Sequence, residues 1–218
     1  MSSERGNLFI VSAPSGSGKS TLVDLVLARL ENTERCVTST TRGPRGRERD
    51  GVDYYFLTEE DFERRIAAGD FLEHARVHGE RLYGTSRAAV ESGLARGVDL
   101  FLVIDVQGAA SVRAAMPEAI GIFVMPPSFA SLEARLRARS VAENHLDERD
   151  LAERLANARR EVGRYTEFDY VIVNDDRDRA VKALASIVIA ERCREWNQRS
   201  RLRDILRTFE NGEESFHA

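Results

Sequence analysis

Lysine is nearly missing from this chain. Of its 32 basic residues, 30 are Arg and two are Lys, Lys19 and Lys182. In such a composition a given Arg says little, and a retained Lys says more, because it is a compact charge on a flexible stem. Cysteine is equally scarce. Cys36 and Cys193 lie far apart and near no metal-ligand pattern. That excludes a disulfide framework and fits a reducing cytoplasm, with both as ordinary buried or half-buried thiols. Long apolar runs are lacking too. Leu8–Val11 and Leu100–Ile104 fall far short of the roughly 18 residues needed to span a bilayer, so no membrane association is expected. The start, Met-Ser-Ser-Glu-Arg, soon meets Gly, Ser and Pro and does not read as a signal peptide. Nor is there an excess of positive charge. The net charge of −4 argues against general nucleic-acid binding.

What remains is a chain of 218 residues, 42% apolar and 31% charged. That is a soluble globular composition, long enough for one domain with inserted subdomains. Leu8–Ser12 reads as a buried parallel strand, followed by a glycine-rich segment and then Leu22, Leu25, Val26 and Leu30 at helical spacing. Asp53–Leu57, Phe71–Val77, Leu100–Asp105, Ile120–Val124 and Tyr170–Val173 read as further strands, the last as a central one. Thr58 is placed to cap a helix running to about Ala68. Ser86–Arg96 reads as a helix closed by Gly97, and Gly108–Ala115 as a short one. Ser128–Arg139 and 146–166 read as charged helices. A helical stretch from Asp178 to about Arg207 follows, in one or two pieces, with the last ten residues frayed. Buried strands alternating with helices give an α/β doubly wound sheet. Residues 38–90 and 126–165 read as insertions at the carboxyl ends of strands, where such sheets bind ligands.

The glycine-rich segment is Ala13-Pro14-Ser15-Gly16-Ser17-Gly18-Lys19-Ser20. It meets G-x-x-x-x-G-K-[ST], except that Ala13 stands at the first glycine position. Between a strand and an amphipathic helix, this is a phosphate loop. Gly16 and Gly18 let backbone N–H groups turn inward around phosphate oxygens, and the helix N-terminus adds favourable partial charge. Lys19 is expected to reach the β- and γ-phosphates, and Ser20 to ligate Mg²⁺. Ala13 fits if its φ is negative.

A second set of segments follows in order: Thr38-Ser39-Thr40-Thr41-Arg42-Gly43-Pro44-Arg45, Asp50–Phe56, Phe71–Ala75, Tyr83-Gly84-Thr85-Ser86, Ile104–Gly108 and Val171–Asp176. Together with the loop they closely resemble the guanylate kinase family, the bacterial branch above all, from about residue 7 to 196. The resemblance implies a P-loop NTPase-type parallel sheet flanked by helices. Into it are inserted a mixed α+β GMP-binding region over 38–90 and a helical lid over 126–165. The segments 1–37, 91–125 and 166–218 then form the core. It implies transfer of a phosphoryl group from MgATP to GMP or dGMP in purine nucleotide metabolism.

By the same resemblance, residues Ala13 to Ser20 together with Thr21 would bind ATP, and Asn174 would sit near its adenine. Arg42 and Arg45 would hold the GMP phosphate in guanidinium forks, with Tyr54 and Tyr83 donating hydroxyls to it. Glu73 would face the guanine, whose N1–H and N2–H are paired donors that an ionised carboxylate accepts and that adenine does not offer. Thr38 and Thr85 would donate to O6. Asp105 would serve the GMP site or the Mg²⁺ shell. Arg135, Arg139 and Arg154 match the lid arginines that, with Lys19 and Arg42, would neutralise charge during transfer. Arg47, Arg49, Arg137, Arg159 and Arg160 are left as surface charge.

The chain departs from the family pattern in places. Val103 replaces a usual Asp two residues before Asp105, and Thr38 a more usual Ser. The lid turn from Arg139 is about four residues longer than usual, and the turn before Tyr83 one residue longer. Two rival functions are carried forward: a kinase of another monophosphate, and a non-catalytic interaction domain of the same fold. His74 and His78 are four apart but lack a third ligand, and His145 and His217 sit in charged surroundings. Homo-oligomerisation is left open. Arg192–Arg207, with Glu191, Glu195 and Asp204 interspersed, reads as a salt-bridged helix.

Overall fold

Strand β1 (Leu8–Ser12) is buried at every position, as a strand covered by helices on both faces must be. It lies at the centre of a five-stranded sheet. On one side it pairs with β7 (Asp99–Val103), and β7 with the short β2 (Thr33–Arg35). On the other it pairs with β8 (Ile120–Met125), and β8 with β9 (Tyr170–Val173). Every pairing is parallel. The computed structural model describes residues 5–46, 48–77, 81–142 and 148–213.

Alternate residues feed two cores. Phe9, Val11, Phe101 and Ile122 meet Leu22, Val23 and Val26 of α1 (Lys19–Leu27) and Val181, Leu184 and Val188 of α7 (Arg177–Arg192). Leu8, Ile10, Leu100 and Leu102 meet Val90 and Leu94 of α3 (Arg87–Ala95) and Ala109 and Val112 of α4 (Val106–Ala115). The Phe9 and Phe101 rings stack 5.3 Å apart. This two-sided burial is what the apolar runs predict.

A second sheet of four strands is built within residues 38–86. Its order is β4 (Tyr54–Phe56), β3 (Thr38–Thr40), β6 (Arg81–Ser86), β5 (Phe71–Val77). β3 and β4 run parallel, and the other pairs antiparallel. Helix α2 (Glu59–Ala67) seals its small core, in which Phe62 stacks on Phe71 at 4.4 Å beside Leu82. Helices α5 (Phe129–Ala142) and α6 (Glu148–Val162) have their own cluster of Leu132, Leu136, Leu151 and Ala158. A 3-10 turn over Tyr165–Glu167 leads into β9. Helix α8 (Glu195–Glu213) ends the described chain.

Several local expectations hold. Thr58 caps α2 by accepting from the Asp61 N–H, Ser86 caps α3, and Gly97 takes a φ of 77° just past α3. The final helical stretch is in two pieces, with the expected pairs Arg194–Glu191, Arg199–Glu195 and Arg207–Asp204. Four readings are corrected. Tyr170–Val173 is an edge strand, not a central one, and half of it is exposed. Cys193 is exposed; only Cys36 is buried. The last helix continues to Glu213 rather than fraying from residue 209. Strands β2, β3 and β6 are additions: β2 and β3 are three-residue polar strands with no apolar period to read, and Gly84 interrupts the six-residue β6. No helix among the described residues is long and apolar enough to cross a membrane.

Candidate active site

The loop after β1 is shaped by its glycines. Gly16 and Gly18 have φ of 84° and 86°, the left-handed region. A Cβ on Gly18 would lie 2.8 Å from Asn174 Nδ2, and one on Gly16 3.0 Å from Leu136 Cδ2. Both positions therefore need glycine for backbone angle and for space. Ala13 keeps a negative φ, since Asn32 is the one non-glycine with positive φ among the described residues. Helices α2, α3, α4 and α7 are each capped by a side chain, from Thr58, Ser86, Asp105 and Asp176. Helix α1 begins at Gly18 with no side-chain cap and no acid in its first turn. Its N–H groups are left for an anion. Lys19 Nζ donates to the Ala13 carbonyl at 3.2 Å, folded back over the loop.

The second sheet contributes one polar group per strand to a cavity of about 190 Å³: Thr38 from β3, Tyr54 from β4, Glu73 from β5 and Tyr83 from β6. Lys19, Val103, Asp105 and Gly108 close it from the main sheet. Register brings the polar groups together, with Thr38 opposite Tyr54 and Glu73 opposite Thr85. Glu73 is buried at 6% exposure and accepts from Thr85 Oγ1 at 2.6 Å. Burial pushes its carboxyl up to about 7; the Thr85 bond opposes this and the Asp105 charge adds to it. Burial also pushes the Cys36 thiol up to about 12, with the Glu73 charge adding to it.

A larger cavity of about 440 Å³ lies on the other side. It is lined by the loop residues Ala13, Ser15 and Lys19, by Asp105, and by Arg160, Glu161 and Arg164 from α6 and the segment after it. Lys19 and Asp105 line both cavities. They follow adjacent strands, β1 and β7, at the carboxyl edge of the sheet. Asp105 Oδ1 caps α4, accepting from the Gln107 and Gly108 N–H groups at 3.0 and 2.8 Å.

Two anion-sized cavities meeting at one lysine describe a site that joins two phosphorylated ligands, and comparison with known proteins agrees. The guanylate kinase family model matches residues 5–191. The chain belongs to the guanylate kinase family. It is 47% identical to a guanylate kinase of Koribacter versatilis, over 87% of this chain and 80% of that one. It is 47% identical to another from Idiomarina loihiensis, over 93% and 95%. The crystal structure of guanylate kinase from Anaplasma phagocytophilum superposes with a TM-score of 0.73 at 32% identity, covering 90% of this chain and 92% of that one. The fold is thus the P-loop NTPase type that the resemblance implies.

The residues expected for guanylate kinase chemistry fall as follows. Arg42 is buried, but its fork is filled by Glu48: NH1 and NH2 donate to the two carboxylate oxygens at 2.6 and 2.8 Å. NH1 also donates to the Gly43 carbonyl and Nε to Tyr83 Oη, and the Tyr54 ring lies under the guanidinium at 5.0 Å. The Arg42 hydrogen bonds hold the Glu48 carboxyl below the usual carboxylate range. Arg45 is exposed, and its N–H donates to Glu48. Asn174 is buried with Nδ2 on the Ser17 carbonyl at 2.7 Å, so it braces the loop. Arg135 donates to the Asn174 carbonyl at 3.1 Å and the Ser17 carbonyl at 3.5 Å. Arg154 pairs with Asp150 at 2.8 Å. Arg139 lies on α5 with its side chain outside the described residues, as do Arg47, His78, His145 and His217 altogether. His74 lies on β5 beside the Phe71 ring.

Three cavity residues escaped the sequence. Arg160 reads there as surface charge, yet it lines the larger cavity with Glu161 and Arg164. Burial raises the Glu161 carboxyl, with Lys19 opposing and Asp105 adding. The i, i+3 spacing of Glu161 and Arg164 beyond the apolar face of α6 is the one signal that could have found them.

Oxygen donors suited to a hard cation are present in the Ser20 hydroxyl at the start of α1 and the Asp105 carboxylate. No cluster of three or more His, Cys, Asp or Glu suited to a metal occurs among the described residues. Mg²⁺ is bound through one or two protein oxygens plus substrate phosphates, and Ser20 and Asp105 are oxygen donors of that kind.

Proposed function

We infer that this chain carries the activity of its family: it transfers the γ-phosphoryl group of ATP to GMP, giving ADP and GDP. The observation that carries the reading is the meeting of the two cavities at Lys19 and Asp105. The ATP phosphates take the glycine loop, with the uncapped N–H groups of α1 and Lys19 on the β- and γ-phosphates. GMP takes the smaller cavity. Its phosphate is held by Arg45, Tyr54 and Tyr83, and by Arg42 once the Glu48 carboxylate yields the fork. Glu73, ionised, accepts from guanine N1–H and N2–H, and Thr38 and Thr85 donate to O6.

No general base is needed. The acceptor oxygen belongs to a phosphate monoester whose second pKa is about 6, so it is already ionised at neutral pH. That oxygen forms a bond to the γ-phosphorus while the bridging oxygen leaves with ADP. Catalysis is positioning and charge neutralisation by Lys19 and the arginines. Arg135, Arg139 and Arg154 belong to the lid, closing with α5 and α6 to exclude water. Ser20 and Asp105 would hold Mg²⁺, which supplies further neutralisation of the phosphate charge when bound. The reducing cytoplasm is the proposed location.

An ADP-release assay with GMP, dGMP, AMP, UMP and dTMP tests the reading. Turnover is expected with GMP and dGMP and near background with the others. Equal turnover with AMP would favour a kinase of other monophosphates, and none with any acceptor would favour an interaction domain. The lysine-bearing, uncapped loop speaks against an interaction domain, and the relatives' guanylate kinase names speak against both.

A further inference from the structure

Helix α6 has two working sides. Leu151, Leu155 and Ala158 pack with Leu132 and Leu136 of α5. Asn157, Arg160 and Glu161, with Arg164 just past the helix end, follow i, i+3, i+4 and i+7 spacing. All four line the larger cavity, together with Lys19 and the glycine loop. Arg154, the α6 arginine that the resemblance selects, does not line that cavity and pairs with Asp150 at 2.8 Å.

The guanidinium groups around the cavity are not equally available. Arg164 forks onto both Glu167 carboxylate oxygens at 2.7 Å, and Arg76 pairs with Glu59 at 3.5 Å. On α5, Arg135 donates to the Ser17 and Asn174 carbonyls. Arg160 forms no ion pair with a carboxylate among the described residues. Its Nη2 donates to Asn157 Oδ1, a neutral oxygen that orients the guanidinium without matching its charge. The neighbouring Arg159 lies over the Phe129 ring at 4.4 Å. A helix C-terminus favours both arginines, but that preference does not explain why only Arg160 reaches the cavity. Burial raises the Glu161 carboxyl, with Lys19 opposing, Asp105 adding and Arg160 opposing, so these groups share one electrostatic environment.

We propose that Arg160 is a catalytic residue of the phosphoryl transfer, oriented by Asn157 and donating to the γ-phosphoryl oxygens as that group passes to GMP. This rests on the kinase reading above. In flight the transferred group spreads its charge over three equatorial oxygens. A donor aimed at them acts on the transition state more than on bound ATP, so it raises turnover and leaves KM nearly alone. Asn157 is a positioning residue, because it acts through Arg160.

Steady-state kinetics of the full chain with ATP and GMP test this. Arg160→Ala is expected to lower kcat by about 10²-fold or more, with both KM values and the melting temperature nearly unchanged. Binding of ADP, aluminium fluoride and GMP together, which mimics the group in flight, weakens by a similar factor, while ADP and GMP alone bind as before. Arg159→Ala keeps kcat within about threefold. Asn157→Ala lowers kcat about tenfold and has no further effect in the Arg160→Ala background. If the parent turns over GMP and Arg160→Ala keeps kcat within about threefold, the proposal is overturned while the kinase reading stands. A loss carried by KM alone overturns it as well, as does an equal loss in Arg159→Ala. An Asn157→Ala loss that persists in the Arg160→Ala background overturns the role given to Asn157. A parent chain inactive with GMP overturns the kinase reading and this proposal together.

Discussion

The two halves of the site hold anions by different means. The loop after β1 uses main-chain N–H groups set by Gly16 and Gly18, with the Lys19 side chain folded over the Ala13 carbonyl. The smaller cavity uses side chains from four strands, and its leading arginine is already matched to a carboxylate. A main-chain cradle is fixed by backbone geometry and costs little to reorganise. A side-chain cradle must be held in shape by partners, and here Glu48 and Tyr83 hold Arg42. The contrast teaches that the loop is ready for its ligand, whereas the arginine fork must exchange one anion for another.

The largest break in that contrast is Lys19→Ala. Turnover should fall by about 10³-fold or more, with the melting temperature nearly unchanged; steady-state kinetics and circular dichroism decide it. Next comes Glu73→Gln, which should lower the preference for GMP over AMP by about 10²-fold in a kcat/KM comparison, since an amide no longer offers two acceptor oxygens. The same substitution should raise stability at pH 8. Glu73 titrates near 7 in the fold, above the usual carboxylate value. The folded chain therefore binds the extra proton between those values, and its stability falls as pH rises through that window and levels off above it. Gln removes that loss, and melting curves at pH 5 and pH 8 measure the difference.

A tenfold effect is expected from pH alone. With a carboxyl near 7, about a tenth is ionised at pH 6 and about nine-tenths at pH 8. The KM for GMP should fall roughly tenfold between them, beyond any change seen with Glu73→Gln, whose remaining pH dependence belongs to the GMP phosphate. The smallest effect sharpens the contrast most. Glu48→Ala should destabilise the free protein by roughly 1–3 kcal/mol, by leaving buried Arg42 without its carboxylate. GMP should recover part of that loss, about 0.65 kcal/mol, so that its KM falls about threefold. A KM that rises instead would make Glu48 a support that the phosphate never displaces.

The same contrast governs what was legible in the sequence. The loop is written in contiguous residues, so strand, glycines, lysine and helix could be read at once, and so could Thr58 and Ser86 as caps. The second sheet is written across residues 38–86. Thr38–Thr40 and Thr33–Arg35 are too short and polar to show a period, and Gly84 interrupts β6. Resemblance supplied Thr38, Tyr54, Glu73 and Tyr83, and register explains why four distant residues meet. Glu48 stayed hidden because its role lies in a fork six residues back, inside a loop rich in charge. Arg160 and Glu161 stayed hidden because a charged helix face gives no sign of which side turns toward a cavity.

The burial of Asp99 bears on where this polypeptide can be cut. Its carboxylate, at 3% exposure, accepts from the Asn7 main-chain and side-chain N–H groups and from Arg192 Nε at 2.7 Å. Arg192 is the first residue past the span matched by the family. A truncation ending at residue 191 would keep the acid on a central-sheet strand and discard its counter-charge. Trimming to the apparent boundary would thus weaken the very sheet it was meant to isolate.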